Sequence, residues 1–262
     1  MSIEMTEKFN PQEIFLIERY ISVAYFGQLR DVWGEMIRHI EKCLDNYMAR
    51  LSLEYRNRPL PEQPDVVWGE RVLPNFRNTF QELSDGYILL SSGSLNGLNY
   101  CHGPMNDFKG QQEFWSGWMN SDDDTRYRKL LITATNMSGN IAATVGAHWE
   151  LFELERDYME ALRGPLDLPE HWPAYQVDQT MTVLTGDKPT IAGIYVPDVE
   201  NSCAEYISVE FSEAPACRAW VRSENLIDDT TGKQYGTSEI FEDRLCRWTL
   251  VKRMSEASAT KT

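Results

Sequence analysis

The sequence predicts an α+β protein: an N-terminal helical bundle followed by a small antiparallel β domain, either an SH3-like barrel or a curled sheet. Three observations predict it. Apolar residues recur at helical spacing through most of residues 11–162. The stretch "GPLDLPEHWPAY" then places three prolines in twelve residues and reads as a linker. Beyond it the apolar period becomes two. The implied organisation is a helical domain over 1–163, a Pro-rich linker over 164–175, a β domain over 176–254 and a disordered polar tail over 255–262.

The first helix starts at Asn10, a good N-cap, with Pro11 at the first helical position and Glu13 placed for a capping box. Its stripe runs Ile14, Ile17, Ile21, Tyr25, Leu29, Val32, Met36, Ile40, Leu44 and Tyr47, so the helical period extends to about Tyr55. Gly27 and Gly34 are the expected bends or breaks. Pro59, Pro61 and Pro64 end it. A second helix follows Pro74, striped by Phe76, Phe80, Leu83, Tyr87 and Leu90, and stops at Gly93. A short helix is expected around Gln111 to Met119, with Trp115 and Trp118 sharing a core face. The last long helix starts at Ser121 and runs to about Leu162, where Gly164 and Pro165 close it.

In the β region, "EYISVEF" alternates Ile207, Val209 and Phe211 against Tyr206, Ser208 and Glu210. "CRAWVR" alternates Cys217, Ala219 and Val221 against Arg218, Trp220 and Arg222. "LCRWTLV" sets Cys246, Trp248 and Leu250 on one face, and "IAGIYV" is another short strand. "DDTTGKQYG" carries turn chemistry between two strands.

The totals narrow the function. The chain has 262 residues, eight Trp and a formal net charge of −15. Such acidity opposes nucleic acid and anionic membrane surfaces, and suits either plain solubility or a basic protein partner. Charge divides as 16 basic against 24 acidic residues over 1–163 and 9 against 16 over 164–262. The five cysteines are odd in number and contain no C-x-x-C, which opposes a disulfide framework and a zinc ribbon. No apolar leader or membrane span is visible, so a cytoplasmic protein is expected.

No motif predicts catalysis, and neither an enzyme nor a cofactor is expected. Cys101 and His102 are adjacent, but sequence neighbours usually point apart, and "HGP" reads as a turn. The four histidines lack H-x-x-x-H spacing, so no metal site is expected. There is no Walker loop and no G-x-G-x-x-G. Asp122, Asp123 and Asp124 fall in the first turn of a helix, with Ser121 as N-cap and Asp124 in a capping box. They complement the helix dipole there and can also meet a basic partner.

Several segments together carry a resemblance: "RNRPLPEQPDVVWGERVLPNFRNT", "DGYILL", "YCHGPMNDFKGQQEFWSGWM", "GIYVP" and the residues Leu245 to Leu250. The set resembles a family of immunity proteins from bacterial polymorphic-toxin loci, often linked to type VI secretion, over about Ile14 to Lys252. The resemblance implies direct neutralisation of a cognate toxin and supplies no catalytic residues. An acidic blocker would suit a toxin with a basic cleft, such as a nuclease. The alternative is an adaptor or chaperone for a secreted effector. The expected toxin-binding residues are the acidic set Asp122, Asp123, Asp198, Glu200, Glu205, Glu213, Asp228 and Asp229, together with Tyr206 and Trp220 on strand faces.

Overall fold

Asn10 opens the first helix as expected: its Oδ1 accepts the Gln12 N–H at 2.9 Å. The computed structural model describes residues 9–111 and 113–254; the tail over 255–262 lies outside them. Helix α1 (Pro11–Tyr20) ends where Ser22 caps α2 (Val23–Met48), its hydroxyl accepting the Tyr25 N–H at 3.1 Å. The long first helix is therefore split at Ile21–Ser22, not at the glycines. Gly27 and Gly34 lie inside α2, where an added Cβ would strike the Tyr87 and Phe80 rings. They let α3 (Leu73–Ser91) pack close. A π-helical run, Asp65–Val72, leads into α3 after Pro64.

Helix α4 (Gly103–Gln111) precedes the stretch expected to be helical around Gln111 to Met119. Residues 113–119 form turns instead. Gly110 and Gly117 weaken a helix there, and the Trp115 ring lies over Gly117. Trp118 is buried, whereas Trp115 is 46% exposed, so the two do not share a core face. Helix α5 (Ser121–Val145) stops well short of Leu162. Its end is a Schellman turn: the His148 N–H reaches back to the Ala143 carbonyl, and Ala147 takes a φ of 52°. A single turn, α6 (Glu160–Arg163), follows later.

The strands are β1 (Tyr175–Leu184), β2 (Gly193–Pro197), β3 (Glu205–Ile207), β4 (Cys217–Ile227), β5 (Gln234–Arg244) and β6 (Arg247–Arg253). They form two antiparallel sheets, β1-β6-β2-β3 and β4-β5. Neither closes, so the SH3-like barrel does not form among the described residues. The sequence reading names no strand at β1, whose polar run Gln176, Asp178, Gln179, Thr180 hides its period. In "EYISVEF" only three residues pair, and all three are buried, so the expected alternation is absent.

The chain divides into two compact units. One holds the chain up to Arg19, Ala143–Met159 and the chain from Leu166; the other holds Tyr20–Ala142 and Glu160–Pro165. The first is built on Trp248, Tyr195, Ile207, Leu250 and Val183, with Cys217 of β4 joining the two sheets in one core. Helix α1 is tied to this unit: Glu18 accepts from Tyr175 at 2.9 Å and from Arg253 at 3.2 Å. The second unit is aromatic-rich. Trp33 donates its indole N–H to the Phe76 carbonyl at 2.9 Å, and Trp68 stacks edge-on to both Trp118 and Tyr127. Among the described residues no helix is long and apolar enough to cross a membrane.

Candidate functional site

Strands β4 and β5 make a ribbon of two 11-residue strands, about 35 Å long at ~3.3 Å per residue. Its root is fixed. Cys217 and Ala219 are buried, and the Trp220 N–H donates to the Asn201 carbonyl at 2.7 Å. The half-buried Trp220 indole donates to Glu239, which also accepts the Ser223 hydroxyl at 2.7 Å. Beyond this point full burial stops. Residues 222–227 of β4 are exposed without alternation, while in β5 Gly236, Ser238 and Ile240 are half-buried and the residues between them exposed. The tip turn closes on its own hydrogen bonds. Asp228 Oδ1 accepts the Thr230 and Thr231 N–H groups at 2.9 and 2.7 Å, and Gly232 supplies a φ of 66°. These bonds to the charged form hold the Asp228 carboxyl down at about 2.

Apolar side chains stand in water on this ribbon: Ile227 is 56% exposed and Tyr235 71% exposed, with Leu226 beside them. A two-stranded ribbon is marginal in water, and its edges offer unpaired backbone groups. The ribbon also carries six carboxylates against four basic residues. Three of those bases are arginines engaged within the chain: Arg218 with Glu150, Arg222 with Glu224 and Arg244 with Glu242.

The expected contact residues separate on this frame. Asp228 and Asp229 sit at the ribbon tip and Trp220 at its root. Glu200 is exposed in the β2–β3 connection, next to the Asn201 that holds Trp220. Asp198 is exposed, but its carboxylate accepts the Arg247 N–H at 2.8 Å and so ties that connection to β6. Glu213 is exposed in the segment before β4. Two expectations are corrected: Glu205 and Tyr206 are buried, at 5% and 1% exposure, and cannot meet a partner. Strand β3 is covered on both faces, so period-two reasoning had no exposed face to assign there.

Glu205 has a different role. Its Oε1 accepts the Trp149 N–H at 2.8 Å, while Oε2 has no hydrogen-bond partner among the described residues. Glu13 of α1, also buried, reaches the Ala204 backbone and the Cys203 thiol rather than closing a capping box. Burial raises both carboxyls, Glu13 to about 8 and Glu205 well above the ordinary range; the Glu155 charge adds to the first, and the Glu13 and Glu153 charges to the second.

Asp122 and Asp123 belong to the other unit. Asn120, not Ser121, caps α5, accepting the Asp122 and Asp123 N–H groups at 3.1 and 3.0 Å. Asp122 is exposed, and Asp124 pairs with Arg128 at 2.8 Å instead of closing a capping box. Asp123 is half-buried beside His39 and Cys43, which lie one turn apart on α2. His39 Nε2 is 2.9 Å from the Asp123 carbonyl oxygen, 3.9 Å from its Oδ1 and 3.7 Å from Cys43 Sγ. Cys43 and Asp123 line a cavity of about 360 Å³ with Tyr47, Tyr55, Trp118 and Asn120 in its wall. Burial and the Asp123 carboxylate push the Cys43 thiol up to about 11. A thiol so held is a weak nucleophile. The adjacent Cys101 and His102 point apart: the first is fully buried and the second exposed. A sequence signal for the group at Asp123 is the His39-x-x-x-Cys43 spacing on α2, which neither paired-histidine nor paired-cysteine spacing registers. Comparison with protein-family models, curated proteins and solved structures finds no match to the chain.

Proposed function

We propose that the chain is an immunity-type binding protein that neutralises a cytosol-acting toxin by direct contact, with the β4–β5 ribbon as its principal contact element. The ribbon is the observation that carries this reading: a long hairpin whose distal β4 is exposed throughout, with exposed Ile227, Leu226 and Tyr235, tipped by Asp228 and Asp229. Apolar anchors supply contact energy and the carboxylates supply orientation and rate. Its arginines are already paired, so the charge it offers a partner is negative. The formal charge of −15 adds a long-range field that steers a basic toxin. The sequence resemblance points the same way.

Co-expression with the toxin encoded in the adjacent reading frame tests this. The wild-type chain restores growth and co-purifies with the toxin. Reversing the tip with Asp228→Lys and Asp229→Lys slows association at least about tenfold at low salt. Full protection by that variant, or an affinity that does not change from low to high salt, refutes the ribbon reading. An adaptor for a secreted effector would use the same ribbon, but its complex would leave the toxin active. Assaying toxin activity in the purified complex separates the two.

A further inference from the structure

His39 and Cys43 are four apart on α2, the spacing that puts two ligands on one helix face. Asp123 arrives from the first turn of α5. One donor atom from each lies within 4.8 Å of the others. In a tetrahedral zinc site, bonds of ~2.0 Å to nitrogen or oxygen and ~2.3 Å to sulfur hold ligand atoms roughly 3.3–3.6 Å apart. The observed separations of 3.7 Å from nitrogen to sulfur and 3.9 Å from nitrogen to oxygen exceed this by a few tenths of an ångström. The sulfur-to-carboxylate separation is bounded only at 4.8 Å, so loading requires rotation of the Asp123 carboxylate and the Cys43 thiol toward each other.

The surroundings point to a ligand as well. Asn120 Nδ2 donates to the other carboxylate oxygen of Asp123, the kind of support that orients a metal ligand. Trp118 is buried in the wall of the adjoining cavity, and its indole N–H has no acceptor among the described residues. A water or anion on a metal ion would supply one.

We propose that His39, Cys43 and Asp123 form a three-ligand site for a divalent transition-metal ion, zinc by preference, with its fourth position open to the cavity. The mixed nitrogen, sulfur and oxygen donor set suits zinc rather than calcium or magnesium. Loading gives up the His39 hydrogen bond to the Asp123 carbonyl: the ring proton moves to Nδ1 and frees Nε2. The Cys43 thiol loses its proton to solvent, so one proton leaves per ion bound. The proposal does not rest on the toxin-binding reading.

The test uses the full chain, stripped with a chelator and titrated with Co²⁺, then competed with Zn²⁺. The expected result is one equivalent bound, with an intense thiolate-to-cobalt band and tetrahedral visible bands that Zn²⁺ abolishes. Cys43→Ser removes the thiolate band. Asp123→Asn lowers Co²⁺ affinity at least tenfold, with unchanged circular dichroism. His102→Ala, at an exposed histidine outside the site, leaves binding intact. If Cys43→Ser does not fold, protection of Cys43 from alkylation by Zn²⁺ in the wild-type chain, read by mass spectrometry, decides in its place. Absence of a thiolate band in the wild type, or wild-type affinity in Asp123→Asn, overturns the site.

Discussion

Glu13→Gln is predicted to flatten the stability–pH profile. Glu13 is buried against Ala204 and Cys203, and its carboxyl is raised from 4.5 to about 8, chiefly by desolvation. Below pH 4.5 the proton is on the carboxyl in both folded and unfolded chains, and the stability is fully present. As pH rises, the unfolded chain releases its proton first while the folded chain keeps it to about pH 8. Stability therefore falls across this window, by about 1.4 kcal/mol per pH unit for one proton. Over the whole interval the loss is about 5 kcal/mol, comparable with the total stability of many domains. The glutamine amide keeps an acceptor for the Ala204 N–H and cannot ionise. Urea unfolding at pH 5, 6, 7 and 8 is the assay. The variant gains on the wild type with each step in pH, and Glu205, raised for the same reason, contributes the remaining slope of the same sign. Parallel profiles for the two proteins would refute the argument, because they would mean that Glu13 titrates alike in both states.

Trp33→Ala removes a fully buried ring and its hydrogen bond to the Phe76 carbonyl, and should cost about 3–5 kcal/mol by chemical denaturation. Gly86→Ala drives a Cβ against Tyr100, the Gly97 carbonyl and Phe26 at once, and should cost about 1–3 kcal/mol by the same measurement. At the ribbon, Ile227→Ser and Tyr235→Ser should change stability by no more than about 0.5 kcal/mol each, since both side chains are exposed, yet should weaken toxin capture in a pull-down. Side-chain carboxyl shifts followed by NMR should show Asp228 still ionised at pH 3, and Thr230→Ala should bring its titration back toward the ordinary range.

Local chemistry was legible where it decided the outcome locally. The Asn10 cap and the Asp228 turn depend only on residues within a few positions. The expected proline stop fails: the helix read as running to about Tyr55 ends at Met48, before Pro59, and Pro64 leads into the helical run Asp65–Val72 instead. The alternation of Cys217 and Ala219 marked the buried face at the root of β4. In β6 alternation caught Trp248 and Leu250 but missed Thr249 and Val251, because that strand is buried on both faces. The misreadings share a cause. The stripe through Ile21 is continuous in apolar period, but the Ser22 hydroxyl offers the backbone a cap, and helical period does not register a cap. Period likewise carried the last helix past Val145, where a left-handed Ala147 ends it without a glycine at that position. Strand β3 is covered on both faces, so alternation had nothing to report.

The functional residues were harder to find because the same residue type serves opposite ends. The run Asp122 to Asp124 reads as one acidic patch. In the fold, Asp122 faces solvent, Asp123 turns toward His39 and Cys43, and Asp124 pairs with Arg128. Glu13 looked like a helix-capping carboxylate, and Glu205 looked like a surface one. Both are buried, and burial raises both carboxyls, favouring their protonated forms. The formal charge of −15 counts those two as ionised, so it overstates the field a partner meets. The correction does not reverse the sign. It shifts weight from total charge to its placement, and there the ribbon matters most. Its arginines are neutralised within the chain, and its tip carboxylate is held ionised by its own turn. Under the proposed toxin-binding role, a basic partner would meet negative charge beside exposed Ile227 and Tyr235, the combination that turns steering into a lasting complex.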